Sequence, residues 1–412
     1  MLWPLLVTLS PCHLVTLSSA KGDWPQFRGP GGAGLSDESG LPARWGPTEN
    51  VRWKAELPGR GASAPVVAGG RVFVTACTGP RQQRLHVLCF DGATGKRLWE
   101  RQFQATGTTF CHPKASMAVP TPAADGEAVY ALFGTGDLAA ISRDGDLLWY
   151  RALARDYPRI ANQIGVAASP VLWRDVLLVP METVSESFAA GIDKHNGRNR
   201  WKVARPRDVN WVTPLVVENR GRAEALFLSA NALAAYDPRT GKELWSHAEE
   251  GLSPTPSVPS PAAGEGLFVT GGGVALRLPA PGAGEGAAVA WKSNKLRPAY
   301  ASPLYYRGRL YAVNNTATLL NCFDMKTGEV LWRQRVKGPF SASPVAGDGK
   351  VYLVNEDGLT TVVGDGPRPR VLGTNPLGEP VLATPALSGG ALFLRSDGHL
   401  FCIRGESRRV EK

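Results

Sequence analysis

The stretch Asp91–Trp99, which reads DGATGKRLW, decides the fold because its pattern returns along the chain. The pattern Asp-x-x-Thr-Gly-x-x-x-Trp recurs at Asp237–Trp245 and Asp324–Trp332. Asp193–Trp201 keeps the Asp, Gly and Trp but has Asn196 in place of Thr. Asp can accept hydrogen bonds from the backbone that follows it, and Gly supplies a positive φ. Each copy therefore predicts a short hairpin turn that leads into a strand with a Trp.

A second motif alternates with the first: a small residue, usually Ser or Thr, is followed by Pro and an apolar run. It occurs eight times, and successive prolines are 41 to 57 residues apart. The copies begin at Ala64, Thr121, Ser169, Thr213, Ser260, Ser302, Ser343 and Thr384. Self-similarity at such a period indicates a repeat architecture.

Each repeat reads as four short strands. In the first repeat they are predicted at Ala64–Ala68, Arg71–Ala76, Arg84–Phe90 and Arg97–Phe103. Gly and Pro account for 47 and 33 of the 412 residues, which favours many short strands over a helix bundle. Eight such units predict an all-β fold, an eight-bladed β-propeller with four-stranded antiparallel blades.

The two ends of the chain are predicted to build one blade together. The eighth repeat has only three strands, whereas Asn50–Leu57 carries Trp53 without a repeat of its own. Pairing the two ends would close the ring and remove an open sheet edge. The repeated Trp residues are expected to pack between blades, and Leu372 takes the Trp place in the seventh repeat. The Trp series is Trp53, Trp99, Trp149, Trp201, Trp245, Trp291 and Trp332.

The chain divides into a signal peptide (residues 1–20), an N-terminal extension (21–49), the propeller (50–404) and a C-terminal tail (405–412). Residues 1–20 contain no Lys, Arg, Asp or Glu, and Ser18-Ser19-Ala20 offers small residues for cleavage. We therefore expect an exported protein, periplasmic or extracellular. No later apolar run is long enough to predict a transmembrane segment. The net charge of +10 is scattered, so it does not indicate nucleic-acid binding.

The two interleaved motifs resemble the PQQ-like repeat, the blade of quinoprotein-type propellers, over residues 50–404. The Asp-x-x-Thr-Gly-x-x-x-Trp copies match that family's tryptophan-docking signature. The segment Asp23–Pro30 is similar to the start of uncharacterised secreted propellers of this kind. The resemblance implies one of two functions: a non-catalytic, BamB-like scaffold that binds proteins of the cell envelope, or a PQQ-dependent oxidoreductase acting on alcohols or aldehydes. A propeller that binds glycans or other polymers is a third hypothesis.

Cofactor and metal signals are weak. The alcohol-dehydrogenase branch typically has adjacent cysteines and Ca²⁺ beside PQQ, and this chain has no adjacent cysteines. We therefore expect no cofactor, with PQQ and Ca²⁺ left open. Cys111-His112 has no second ligand pair, so no metal site is predicted. Cys89, Cys322 and Cys402 occupy one repeat position and are predicted to be structural. A disulfide between Cys77 and Cys89 stays open.

A small-molecule or peptide site is best placed at the mouth of the central channel. The connections before the Ser/Thr-Pro motifs should line it, and their amide, aromatic and cationic groups could converge on a ligand. The candidate residues are His112, Lys114, Asn162, Gln163, Asn210, Trp211, Arg297 and Tyr300. The leading prediction is a monomeric protein-binding scaffold without a catalytic set.

Overall fold

The computed structural model of the protein describes residues 22–160, 165–282 and 286–405. The predicted signal peptide and residues 406–412 of the predicted tail lie outside these ranges. The described residues form eight antiparallel blades of four strands, which confirms the predicted propeller. The first strands of neighbouring blades contact one another, so they surround the central channel. No helix in the described part of the chain is long and apolar enough to cross a membrane.

The first four blades follow one another along the chain. Blade one consists of β3 (Val66–Ala68), β4 (Arg71–Thr78), β5 (Arg84–Asp91) and β6 (Arg97–Gln104). Blade two consists of β7 (Ala123–Ala124), β8 (Ala128–Leu132), β9 (Asp137–Ser142) and β10 (Leu147–Ala152), followed by the one-turn helix α1 (Leu153–Asp156). Blade three consists of β11 (Val171–Trp173), β12 (Val176–Met181), β13 (Phe188–Asp193) and β14 (Asn199–Ala204). Blade four consists of β15 (Leu215–Asn219), β16 (Arg222–Leu228), β17 (Ala232–Tyr236) and β18 (Glu243–Ala248).

The remaining blades repeat this order until the last. Blade five consists of β19 (Ala262–Gly264), β20 (Leu267–Val269), β21 (Val274–Arg277) and β22 (Ala288–Lys292). Blade six consists of β23 (Leu304–Tyr306), β24 (Arg309–Asn314), β25 (Leu319–Asp324) and β26 (Val330–Arg335). Blade seven consists of β27 (Val345–Gly347), β28 (Lys350–Val354), β29 (Leu359–Gly364) and β30 (Val371–Pro376), and β1 (Leu35–Ser36) pairs in parallel with β27.

Blade eight is built from both ends of the chain, as predicted. Its strands are β31 (Ala386–Ser388), β32 (Ala391–Arg395), β33 (His399–Arg404) and, from the N-terminal side, β2 (Val51–Glu56). In the register of β2 and β33, Trp53 lies opposite Cys402. A short 3-10 turn (Pro30–Gly32) precedes β1. The pairing of β2 with β33 closes the ring of blades.

In six of the eight blades, the hairpin turn before the last strand receives the Trp of the preceding blade. In blade one, Asp91 Oδ1 accepts the backbone N–H groups of Ala93 and Thr94 at 3.1 and 2.8 Å. The indole of Trp53 donates to the carbonyl of Gly92 at 3.0 Å. Gly95 has a φ of +74°, and a Cβ there would lie 2.6 Å from the Trp53 ring. The turn therefore needs Gly both for its conformation and for room under the indole.

The other indoles make equivalent bonds to the next blade, with one exception. Trp99, Trp149, Trp201, Trp291 and Trp332 donate at 2.8–3.0 Å to the carbonyls of Arg143, Lys194, Pro238, Met325 and Gly366. Trp245 faces blade five, whose last turn is longer, and donates instead to the buried carboxylate of Glu224 at 2.8 Å. Blade seven precedes a blade whose last two strands come from different chain ends. There is no hairpin turn to receive an indole, which explains Leu372.

The cysteines have structural positions. Cys89, Cys322 and Cys402 each lie directly opposite the Trp of their own blade. Burial raises the pKa of each of these three thiols to about 12, so they stay protonated. Cys77 lies opposite Leu85, whereas Cys89 lies opposite Phe73. The offset of four residues is about 13 Å along the strand, too far for the disulfide left open from the sequence.

Candidate functional site at the channel mouth

A ring of hydroxyl groups surrounds one end of the central channel. The hydroxyl of each Ser/Thr-Pro motif accepts the backbone N–H of the matching residue in the preceding blade, at 2.9–3.0 Å. The links run from Ala64 to Thr121, Ser169, Thr213, Ser260, Ser302, Ser343 and Thr384. Each bond joins two blades, and this explains why the motif carries Ser or Thr. We call these seven Ser and Thr side chains the hydroxyl ring.

The hydroxyl ring is open at one place. Ala64 has no hydroxyl, so no such bond joins blade eight to blade one. Arg395 connects these blades instead, because its guanidinium donates to Ser63 Oγ at 2.7 Å and to the Ser63 carbonyl at 3.2 Å. Arg395 is only 1% exposed, and burial lowers its pKa to about 10. This junction therefore depends on contacts that the other blades do not use.

The hydroxyl ring lines a cavity of about 540 Å³, and all seven members face it. Phe27 is part of the lining, and Trp211 and Tyr300 stand at its edge beside apolar groups such as Val258. A Ser or Thr hydroxyl can donate one hydrogen bond as well as accept. Within the described residues, none of the seven hydroxyls donates to a protein acceptor. The cavity therefore combines apolar and aromatic surface with unused hydroxyl donors.

An ion pair crosses the mouth. Lys114 lies in the connection between β6 and β7, and its Nζ is 2.8 Å from Glu356 Oε2 in blade seven. Ser341 Oγ donates to the same carboxylate at 2.8 Å. The hydrogen bond that Lys114 donates to Glu356 raises the pKa of Lys114 above its ordinary value of 10.5. His112 accepts the Lys114 backbone N–H through Nδ1 at 3.2 Å, so the two predicted residues lie side by side.

Four of the eight predicted site residues line the cavity: His112, Lys114, Trp211 and Tyr300. Trp211 is half-buried, and its indole donates to the carbonyl of Gly165 at 3.1 Å. Tyr300 is 47% exposed. Arg297 is exposed and is not part of the lining; its Nε donates to the carbonyl of Asn294 at 3.0 Å. Asn162 and Gln163 lie outside the described residues.

Asn210 is engaged in a buried network away from the cavity. Its Nδ2 donates to Glu182 Oε2 and to the carbonyl of Leu228, both at 2.7 Å. Glu182 also pairs with Arg205 at 2.7 Å, and both side chains are 2% exposed. This fully hydrogen-bonded group joins blades three and four, so Asn210 positions structure rather than a ligand. Its place before a repeat motif could not reveal the partner, which is 28 residues earlier.

Sequence reasoning missed Glu356, Phe27 and the role of the hydroxyl ring. The ring residues were visible as a repeat, but a period alone does not show which side chain bonds to the next blade. Phe27 lies in a segment without repeats, and Glu356 is one acidic turn residue among many. No sequence signal distinguished either one.

The lining offers poor ligands for Ca²⁺. Ca²⁺ is bound by six to eight oxygen ligands that usually include carboxylates. None of the described lining residues is Asp or Glu. Elsewhere too, the described residues contain no group of three or more His, Cys, Asp or Glu side chains placed to hold a metal ion. The residues present therefore do not fit a PQQ site that relies on bound Ca²⁺.

Comparison with known proteins gives a family and a fold. The family model described as the outer membrane protein assembly factor BamB matches residues 38–189, 183–290 and 280–366. No curated protein matches the sequence. Among solved structures, BamB from Moraxella catarrhalis is similar, with a TM-score of 0.60 and 15% identity over 87% of this chain and 98% of that one.

Quinoprotein enzymes have the same fold. The quinohemoprotein alcohol dehydrogenase from Comamonas testosteroni gives a TM-score of 0.66 and 13% identity, over 96% of this chain and 82% of that one. A europium-containing methanol dehydrogenase gives 0.67 and 14%, over 92% of this chain and 90% of that one. At such identities the likeness concerns the fold alone, so the function has to be argued from the site.

Proposed function

We propose that this chain, which belongs to the family of the outer membrane protein assembly factor BamB, is a non-catalytic scaffold that binds a protein of the cell envelope. The partner would insert an extended segment into the channel mouth. The apolar, acid-free leader of residues 1–20 supports export to the periplasm or beyond. The family is described as that of an outer membrane protein assembly factor, and a protein partner agrees with that description.

The observation that carries this proposal is the chemistry of the mouth cavity. An extended peptide presents backbone carbonyls, which accept hydrogen bonds, and apolar side chains at alternate positions. The hydroxyl ring offers unused O–H donors, and Phe27, Trp211 and Tyr300 offer aromatic surface. Aromatic residues are enriched where protein partners bind. The hydroxyl donors and aromatic rings of the mouth therefore complement the carbonyls and apolar side chains of an extended peptide.

The positive charge of the chain and of its mouth restricts the kind of partner segment that would bind there. The chain has a net charge of +10, and Lys114 stands at the mouth with its side chain 53% exposed. The Lys114 ammonium has three donors, so it can bond a carboxylate of the incoming segment while it stays paired with Glu356, whose side chain is only 14% exposed. We therefore propose a segment with apolar residues and at least one Asp or Glu. Opposite charges would also speed the encounter and make it sensitive to salt.

The test is site-specific photo-cross-linking in envelope extract. A photoreactive phenylalanine analogue replaces Tyr300 in the full chain, and in a matched control it replaces Leu148, which is 51% exposed on the outer strand β10. We expect one partner to cross-link at position 300, with loss of the cross-link in a Trp211→Ala background. The same yield at both positions, or no protein adduct at position 300, would overturn a docking site at the mouth.

A titration separates the scaffold from its alternatives. The purified protein is titrated with PQQ plus Ca²⁺ and followed by Trp fluorescence and calorimetry. The scaffold proposal expects no saturable binding, whereas micromolar or tighter binding would favour the oxidoreductase.

For a glycan-binding propeller, the test is a glycan array at low and high salt, because attraction to the basic surface weakens as salt screens it.

A further inference from the structure

Residues 22–41, which we call the seal, cross the end of the channel opposite the mouth. The hydroxyl ring stands just before the first strand of each blade, whereas the seal meets the blades further along, from Pro261 and Pro303 to the turns after β3 and β31. Asp23 Oδ1, for example, accepts the N–H of Gly69, in the turn after β3, at 3.0 Å. Phe27 points from the seal into the mouth cavity and contributes to its lining. The seal therefore gives the mouth cavity a floor.

The seal contacts the first strand, or a residue directly next to it, in all eight blades. The contacts are Trp24 with blade one, Pro25 with blade two, Gln26 with blade three, Gly32 with blade four, Arg28 with blades five and six, Leu35 and Ser36 with blade seven, and Glu38 with blade eight. Arg28 meets two blades, and each of the other six blades is met by residues of its own. A short segment thus contacts every blade of the ring.

Trp24 anchors the beginning of the seal. Its side chain is fully buried, and its backbone N–H and C=O both bond to Val67 of β3, at 2.8 and 2.9 Å. Gly29 lies against the face of the indole, where a Cβ would come within 2.5 Å of the ring, and its φ is +68°. The chain can fold back over Trp24 only because position 29 has no side chain.

Arg28 anchors the middle of the seal. Its guanidinium is 1% exposed and donates to the carbonyls of Pro261 at 2.8 Å and Pro303 at 2.7 Å. These two prolines belong to the Ser/Thr-Pro motifs of blades five and six. No carboxylate pairs with Arg28 among the described residues, and burial lowers its pKa to about 10. The planar fork of donors on Arg28 lets one side chain bond two carbonyls on neighbouring blades.

The end of the seal uses backbone pairing and a carboxylate. Leu35 and Ser36 add a parallel strand to β27 of blade seven. Glu38 accepts the N–H groups of Gly389 and Gly390 at 2.7 and 2.9 Å, in the turn after β31. Strand addition with a few side chains in fixed places is how extended peptides bind to sheet edges. The seal is thus bound in the manner of a peptide ligand.

We propose that this end of the channel is a peptide-binding site, and that the seal is its ligand, supplied by the same chain. Trp24 and Arg28 are the specificity-determining residues of that ligand. The site does not depend on the partner proposed for the mouth. It predicts that the seal stays bound after the covalent link to the propeller is cut, and that a free peptide of the same sequence can replace it.

The test cuts the link in the folded, full-length protein. A protease recognition sequence is inserted between Thr48 and Glu49, which are both exposed. After cleavage we expect the N-terminal fragment to co-elute with the propeller in gel filtration, and a labelled synthetic peptide of residues 22–48 to exchange with it. Immediate loss of the fragment under native conditions would overturn the proposal.

Peptide variants test the anchors without requiring a mutant protein to fold. As competitors for the site, we expect the Trp24→Ala peptide to be weaker by about 100-fold or more, and the Arg28→Lys peptide by about tenfold. Asp37 is exposed, so the Asp37→Ala peptide is the matched control and should compete like the natural sequence. Equal competition by the Trp24→Ala and Asp37→Ala peptides would contradict a specific site.

Discussion

The two ends of the channel are made in opposite ways. At the mouth, one type of residue repeats around the ring, with seven Ser or Thr hydroxyls in seven blades and a single break at Ala64. At the sealed end, one segment contacts all eight blades through groups that do not repeat from blade to blade, apart from Arg28, which bonds two neighbouring blades. Repetition can form a ring, but a ring of equal blades leaves a hole along its axis. Closing that hole requires a sequence that is not repeated.

This difference predicts where single substitutions cost most. A repeated contact is one of seven or eight equivalents, so its loss leaves the others in place. A contact of the seal has no equivalent.

Trp24→Ala is expected to have the largest effect. The side chain is fully buried between the seal and blade one, so its removal leaves a cavity that costs about 3–5 kcal/mol of unfolding free energy. The measurement is equilibrium unfolding in denaturant. Trp211→Ala is the control at the mouth, where the ring is only half-buried, and its loss should be clearly smaller. Equal losses of unfolding free energy would mean that a unique contact at the sealed end is no more important for stability than a side chain at the mouth.

Gly95→Ala should have the next largest effect, because it tests a repeated contact between blades. A Cβ at position 95 would lie 2.6 Å from the Trp53 ring, in addition to the strain of a φ of +74°. Gly70→Ala is a matched control, since Gly70 has a φ of +75° and no atom of the described ranges lies within 4 Å of the added Cβ. We expect about 1 kcal/mol for the control and about 1–3 kcal/mol more for Gly95→Ala.

Thermal or denaturant unfolding of both glycine variants measures this difference. If the two lost the same stability, the role of Gly95 would be its backbone conformation alone. The indole would then have room to move, and the contact between blades would be weaker than the geometry indicates.

The repeats made the fold predictable, but not the sealed end. The Asp and Gly of Asp91–Trp99 act locally, so a turn could be inferred from them directly. The ring closure by Asn50–Leu57 followed from counting strands. The path of Trp24 and Arg28 could not be inferred, because their partners are far away in sequence: the Arg28 acceptors are 233 and 275 residues later. No periodic signal marks such contacts.

The position of the mouth cavity could be inferred from the sequence, but only some of its lining residues could. His112, Lys114, Trp211 and Tyr300 line the mouth because connections before the first strands must lie there. Asn210 precedes a motif as well, but its amide finds a carboxylate inside the protein. Which polar side chain turns inward depends on partners that the local sequence does not reveal. Residue type alone therefore gives candidates rather than a site.

Ser302→Ala tests a single link of the hydroxyl ring and should have a moderate effect. It leaves the buried N–H of Ser260 without its acceptor, which costs about 1–2 kcal/mol. Ser253→Ala is the control, because the buried Ser253 hydroxyl has no hydrogen-bond partner among the described residues. Its removal should change the unfolding free energy by less than about 0.5 kcal/mol. A comparable loss in both variants would show that packing, not the link between blades, sets the cost.

The smallest effect is expected at Glu379, where unique residues join the two chain ends. Its carboxylate is 2.7 Å from Lys54 Nζ of β2 and 2.9 Å from His399 Nδ1 of β33, and it accepts a hydrogen bond from Ser396. Burial acts to raise its pKa, but the bonds from Lys54, Ser396 and His399 outweigh burial and lower it to about 2. The folded state therefore favours the charged form of the Glu379 carboxylate more strongly than the unfolded state does.

The sign of the pH dependence follows from this shift. The stabilisation is complete above the ordinary pKa of 4.5 and is lost as the pH falls from 4.5 towards 2. Because the site is partly solvated, we expect about 1 kcal/mol. Glu379→Gln should remove this part of the acid destabilisation, measured as unfolding free energy from pH 6 to pH 2.5, whereas Glu49→Gln, an exposed position just before β2, should keep it. An unchanged pH profile in Glu379→Gln would mean that main-chain pairing of β2 with β33 holds the closure without this carboxylate.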